Sequence, residues 1–136
     1  NAVDFLEFFK IDKIENYIKE LGVYCYNELK AKIPEVKIYS RNPEAGIISF
    51  NINGIHSHDV GEYLSGKGIS IRTGHMCCQP LMKKLGINSL ARASFHIYND
   101  KHDVDVLIKE LKNCVEFFNR GKNDRWNLFW FDFGSE

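Results

Sequence analysis

Two long segments of the chain carry apolar residues at helical spacing. In the first, the spacing predicts a helix that begins at Asp12, with Glu15 as its capping-box partner, and ends before Pro34. In the second, Asn99 or Asp100 can cap a helix whose apolar stripe lies on one face. A short helical turn over 3–9 is expected ahead of both. The two apolar stripes are Ile14, Ile18, Leu21, Cys25 and Leu29, and then Val104, Leu107, Ile108, Leu111, Val115 and Phe118.

The segment between these helices alternates in the manner of half-buried strands. Apolar and polar residues alternate over 48–53, and shorter strands are expected over 36–39, 69–72 and 90–98. Two short helices are predicted among them, one capped by Ser57 and one that starts at Pro80 and ends at Leu85. The connections are short, which favours antiparallel pairing. We therefore predict an α+β fold, a small and mainly antiparallel sheet with helices packed on one face.

Composition narrows the class of protein. The chain has 136 residues, of which 44% are hydrophobic, enough for one domain with a core. Eighteen basic residues balance eighteen acidic ones, so we expect neither nucleic acid nor a membrane as the main partner. No apolar run approaches the roughly 20 residues of a membrane span. The start of the chain is acidic and aromatic and lacks the basic segment that opens a signal peptide, so we expect no signal peptide in this sequence.

The ends of the chain and its cysteines add three expectations. Because the chain opens on Asn1, we expect a processed or excised piece. The composition becomes rich in aromatic residues after Gly121, so we expect a domain over 1–120 and an aromatic tail over 121–136. Four cysteines without the spacing of a secreted framework indicate reduced thiols and a cytoplasmic protein. Two of the four, Cys25 and Cys114, fall on the helical stripes and are expected in the core.

The segment Arg72-Thr73-Gly74-His75-Met76-Cys77-Cys78-Gln79-Pro80 carries the candidate chemistry. A thiolate is the reactive form of cysteine, and Arg72, His75 and the start of the Pro80 helix all place positive charge near the two thiols. We read a functional thiol here, against the alternative that both cysteines are small buried hydrophobes. In an extended loop consecutive side chains point apart, so if Cys77 faces out, Cys78 should turn inward towards the domain body.

Arg92 is the second candidate residue. An arginine that projects from a strand suits bidentate capture of a carboxylate, although a surface salt bridge explains the spacing equally well. His56, His58 and Asp59 form only a weak metal pattern, and we favour a role in helix entry. A zinc site at His75, Cys77 and Cys78 is a further alternative that adjacent cysteines disfavour, so no metal is expected.

Several motifs together resemble the C-terminal part of the Suf-type cysteine desulfurases, which belong to the class V aminotransferase family of fold type I enzymes. The most specific are R-T-G-H-M-C over 72–77 and R-A-S-F-H-I-Y-N over 92–99, supported by 46–50, 54–60 and 79–82. The resemblance runs from about Val3 to Phe118. The sister Isc/Nif-type enzymes hold their cysteine in a longer loop that is absent here.

The resemblance implies a role for each candidate residue. Cys77 corresponds to the cysteine that takes sulfur from L-cysteine as a persulfide and leaves L-alanine, Arg92 to the arginine that binds the substrate carboxylate, and Arg72 and His75 to residues that line the site. The family holds pyridoxal 5'-phosphate on a lysine of a large domain. No lysine here stands in that context, so we expect no cofactor-binding residue and no bound cofactor in this chain.

For the parent enzyme, the resemblance implies a homodimer that passes sulfur to an acceptor protein for iron–sulfur cluster assembly. The isolated chain is then expected to be inactive. Two other classes of function stay open from the residues alone: a free-standing thiol relay or metal-binding module, and an inert interaction domain.

Overall fold

The computed structural model describes residues 2–131, except for the side chains of Ala2, Phe5, Leu6 and residues 122–131. In chain order, the elements are α1 (Ala2–Phe8), α2 (Ile11–Lys32), β1 (Val36–Ile38), a 3-10 turn (Pro43–Ala45), β2 (Ile47–Ile52), α3 (Ser57–Ser65), β3 (Arg72–Gly74), α4 (Gln79–Leu85), β4 (Leu90–Ser94) and α5 (Lys101–Phe131).

The four strands form one sheet in the order β1-β2-β4-β3, and every neighbouring pair is antiparallel. This register places Ile48 opposite Ala93 and Phe50 opposite Ala91, and all four side chains are buried. The residues between them point to the other face, where Ser49, Arg92 and Arg72 lie side by side across three strands. The α+β prediction with an antiparallel sheet is confirmed.

The core lies between the apolar face of the sheet and helices α2, α3 and α5, which pack on that face. Both predicted helical stripes supply it, including Cys25 and Cys114, whose side chains are 0% exposed. α2 also approaches the 3-10 turn so closely that a Cβ on Gly22 would lie 2.0 Å from the carbonyl oxygen of Pro43. Helices on one face leave the polar face of the sheet free for a site.

Of the predicted starts of α2, α3 and α5, the first two are wrong and the third is confirmed. α2 begins at Ile11 after Lys10, which has φ 61° and gives no side-chain cap, so Asp12 and Glu15 form no capping box. α3 is capped by His56, because Ser57 is the first helical residue and is itself buried. Asp100 does cap α5: its Oδ1 accepts from the Asp103 N–H at 3.0 Å, and Asp103 Oδ2 accepts from the Asp100 N–H at 3.2 Å.

Two predicted strands are shorter than their alternation suggested. Residues 69–71 lie outside β3, and 95–98 lie outside β4. Local hydrogen bonds explain part of this, because the Ile69 N–H bonds to Leu64 at the end of α3, and the His96 N–H bonds to the Asn99 side chain in a turn.

The expected boundary at residue 121 falls inside α5, which runs on to Phe131. The division into a domain and an aromatic tail therefore stays a prediction. The last part of that tail, 132–136, lies outside the described residues.

Candidate active site

Strand β3 carries the chain to the thiols. Arg72 is its first residue and Gly74 its last, with φ 116°, a backbone conformation that side-chain-bearing residues rarely adopt. A Cβ on Gly74 would also lie 3.4 Å from His58 Nε2, at the start of α3. A glycine therefore suits the point at which β3 ends.

Residues 75–78 form a tight left-handed bend rather than the extended loop that we predicted. Met76 and Cys77 both have φ 55°, a conformation that is unfavourable for residues other than glycine. Two hydrogen bonds hold the bend, and His75 accepts both of them. Its Nδ1 accepts from the Cys77 N–H at 3.2 Å, and its carbonyl oxygen accepts from the Cys78 N–H at 2.9 Å.

The bend brings three of the predicted site residues together. Arg72 Nη2 donates to Cys77 Sγ at 3.7 Å, so a permanent positive charge lies against this thiol. Cys77 is exposed and Cys78 is half-buried at the N-cap of α4, where its carbonyl accepts from Met82. The predicted difference in exposure is confirmed, although a bend and not an extended loop produces it. α4 begins at Gln79, one residue before the predicted Pro80.

Arg92 lies in the same row of the sheet as Arg72. The two arginines are direct partners across β3 and β4, on the face that α2, α3 and α5 do not cover. Arg92 Nε is buried and has no hydrogen-bond partner among the described residues. Like charges placed opposite each other in a sheet are unfavourable, and an unpaired buried donor costs about 1–3 kcal/mol. An anion bound at this face would relieve both costs.

The family model "Aminotransferase class-V" matches residues 1–107. The chain belongs to the class V aminotransferase family. Among curated members of this family, the chain is 45% identical over 120 residues to a probable cysteine desulfurase of Staphylococcus aureus strain COL, and the match covers 87% of the chain. The resemblance to the cysteine desulfurases is thereby confirmed.

Two solved structures of cysteine desulfurases are similar to this chain in sequence and in fold. The apo cysteine desulfurase of Thermococcus onnurineus NA1 is 37% identical with a TM-score of 0.78 over 84% of the chain. The cysteine desulfurase CsdA of Escherichia coli is 31% identical with a TM-score of 0.79 over 85%. The chain spans 29% of the length of each of these three relatives.

The family implies pyridoxal 5'-phosphate, held on a lysine as a Schiff base, and the described lysines of this chain do not fit that role. Every lysine whose side chain the structure describes is exposed. A Schiff base needs an amine that loses its proton readily, which burial promotes and exposure does not. The described residues also contain no group of three or more His, Cys, Asp or Glu arranged to hold a metal. The described part of this class V chain thus offers a thiol and two arginines.

The remaining thiols are held in the unreactive form. Burial raises the pKa of Cys25 to about 12 and that of Cys114 to about 11, and the charges of Glu28 and Asp59 add to the respective shifts. A thiol with such a pKa is not a nucleophile at neutral pH.

Within the residues described, no helix is both long and apolar enough to cross a membrane.

The sequence did not predict a polar network that lies between the start of α3 and the start of β4. Ser57 Oγ and Ser89 Oγ are 2.8 Å apart, His56 Nε2 lies 3.4 Å from Ser89 Oγ, and Asn51 Nδ2 donates to the Ser89 carbonyl at 2.9 Å. This network joins the start of α3 to the start of β4, which carries Arg92. No spacing rule could have predicted it, because its members are up to 38 residues apart.

Proposed function

We propose that this chain is the sulfur-accepting domain of a pyridoxal-phosphate-dependent cysteine desulfurase. Since the chain spans 29% of its curated relatives, the cofactor and its lysine would be supplied by residues outside it. The isolated chain would then be inactive. The proposal applies to the complete enzyme that contains this chain.

The observation that carries the proposal is the contact between Arg72 and Cys77, 3.7 Å from Nη2 to Sγ, beside Arg92, whose Nε has no hydrogen-bond partner among the described residues. A nucleophilic thiol needs its anionic form, and a guanidinium at this distance favours it. An amino-acid substrate brings a carboxylate, which suits the planar fork of a second arginine. Two arginines in one row of the sheet would thus serve the reaction, Arg72 beside the sulfur nucleophile and Arg92 as the anchor for the substrate.

In the proposed reaction, Cys77 attacks the sulfur of L-cysteine. An S–S bond forms while the C–S bond of the substrate breaks, and the electrons of that bond pass to the substrate carbon, which takes a proton. The products are L-alanine and a Cys77 persulfide, so the atoms balance and no outside oxidant is needed. Arg92 binds the substrate carboxylate, and Arg72 and His75 line the site beside the thiol.

We extend the proposal to the partners of the complete enzyme. Cys77 is exposed on its loop, so a persulfide there would be accessible to an acceptor protein, with iron–sulfur cluster assembly as the use of the sulfur. The enzyme is proposed to be a cytoplasmic homodimer, as the family resemblance implies.

The test is to supply the complete enzyme with pyridoxal phosphate, L-cysteine and a thiol reductant, which releases persulfide sulfur as sulfide, and to measure alanine and sulfide. The proposal expects equal amounts of alanine and transferable sulfur, and no turnover by Cys77→Ser. A free-standing thiol relay would instead pass sulfur from a persulfide donor without releasing alanine. Absence of alanine from the wild-type enzyme would contradict the desulfurase proposal.

A further inference from the structure

His75 lies two residues before the proposed nucleophile, and its ring contacts the backbone of that nucleophile. The Nδ1 atom accepts the Cys77 N–H at 3.2 Å. A neutral imidazole that accepts at Nδ1 carries its proton on Nε2. The hydrogen bond described for this ring is thus made to the main chain of the bend over 75–78, at the Cys77 N–H.

The bend that this hydrogen bond closes is strained. Met76 and Cys77 adopt φ 55° in succession, and a left-handed conformation costs roughly 1–2 kcal/mol for each residue other than glycine. Such a conformation persists only where the surroundings hold it. The two bonds accepted by His75 and the contact of Arg72 with Cys77 Sγ are the interactions that hold it here.

Among the described residues, a side chain also accepts from the N–H two residues ahead at two other places. Asn42 Oδ1 accepts from the Glu44 N–H at 2.9 Å, and His56 Nδ1 accepts from the His58 N–H at 3.3 Å. In each case a side-chain acceptor reaches the N–H two residues ahead and starts a helical turn, which is the geometry of an Asx-turn. The Asn42 example shows that an asparagine oxygen can accept from the N–H two residues ahead, as the Nδ1 of His56 and of His75 does.

From this geometry we propose that His75 is a positioning residue for the nucleophile. Its Nδ1 holds Cys77 in the left-handed conformation that puts the thiol against Arg72, and the imidazole does not serve as the acid or base of the reaction. The inference rests on the proposed function and deepens it, because it assigns His75 to the loop rather than to the substrate. A positioning role predicts loss of kcat with little change in KM, because the substrate contacts are kept.

The experiment compares His75→Ala, His75→Asn and His75→Gln in the complete enzyme. We expect the alanine variant to lose about tenfold in kcat, the scale of one hydrogen bond, with KM for cysteine nearly unchanged. The asparagine variant should recover most of that loss, because its oxygen occupies the position of Nδ1. The glutamine variant should not recover it, because its oxygen lies one bond further out.

A second readout does not depend on turnover. Hydrogen exchange of the peptide that spans 75–78 should be faster in His75→Ala and should return towards the wild-type rate in His75→Asn. If the wild-type enzyme releases no alanine, the proposed function fails, and the exchange rates still decide the role of His75. Three results would overturn the inference: a rise in KM at constant kcat, an asparagine variant as impaired as the alanine variant, or unchanged exchange in His75→Ala.

A double variant tests the strain separately. Glycine adopts a left-handed conformation without strain, so Met76→Gly in the His75→Ala background should recover part of the lost kcat. A further loss in the double variant would show that strain at this bend is not what His75 opposes.

Discussion

Replacement of Arg92 by lysine tests the substrate anchor without removing its charge. Arg92 Nε is buried and has no hydrogen-bond partner in the part of the chain that the structure describes, and Arg72 lies directly opposite across the sheet. Lysine keeps a positive charge but has neither this donor nor the planar fork that binds a carboxylate through two bonds. A hydrogen bond to a charged group is worth about 1.5–3 kcal/mol, so the loss of one should lower kcat/KM for L-cysteine at least about tenfold.

The expected change lies mainly in KM, because the carboxylate is bound alike in the ground state and the transition state. Steady-state alanine release by the complete enzyme measures it over a range of cysteine concentrations. Arg41→Lys is the matched control, since Arg41 is exposed on the turn before β2 and should leave both constants unchanged. If Arg92→Lys has the kinetics of the wild type, Arg92 does not bind the substrate carboxylate.

Three further predictions concern the fold. Burial raises the pKa of Cys25 from 9.0 to about 12, so the contribution of Cys25 to the free energy of unfolding should be intact below pH 9.0 and fall by up to about 1.4 kcal/mol per pH unit from there to about pH 12. Urea titrations of Cys25→Ala should lack that part of the slope. At about pH 8, iodoacetamide should label Cys77 first and Cys25 only after denaturation, and native labelling of Cys25 would refute its burial. Gly22→Ala should lower the free energy of unfolding by about 1–3 kcal/mol, because its Cβ would lie 2.0 Å from the Pro43 oxygen, whereas Gly121→Ala, in open space, should not.

The sequence predicted best those features that depend on periodicity. The α2 and α5 stripes and the alternation along β2 each follow from burial of one face, and all three supply core residues, although Ile14 and Ile18 at the start of the α2 stripe are only half-buried. The ends of elements were predicted less well. A polar residue can cap a helix only when its side chain reaches the right N–H, and spacing does not report this, as Lys10 and His56 show.

The sequence motif named the candidate residues of the site, whose roles stay predictions, and it did not predict their geometry. The motif placed Arg72, His75 and Cys77 close in sequence, and in the structure both Arg72 and His75 contact Cys77. The left-handed bend at Met76 could not be predicted, because neither Met nor Cys favours that conformation. The pairing of Arg72 with Arg92 depends on sheet register, which is set by contacts between strands far apart in sequence.

The central claim is that Cys77 is the sulfur acceptor. Cys78 is the natural comparison, since it is adjacent but half-buried, whereas Cys77 is exposed and in contact with Arg72. The most direct measurement is mass spectrometry of the complete enzyme after a single turnover with L-cysteine and cofactor. We predict a persulfide on Cys77 in the wild type and in Cys78→Ala, and none in Cys77→Ser. A persulfide on Cys78, or an active Cys77→Ser enzyme, would contradict this account.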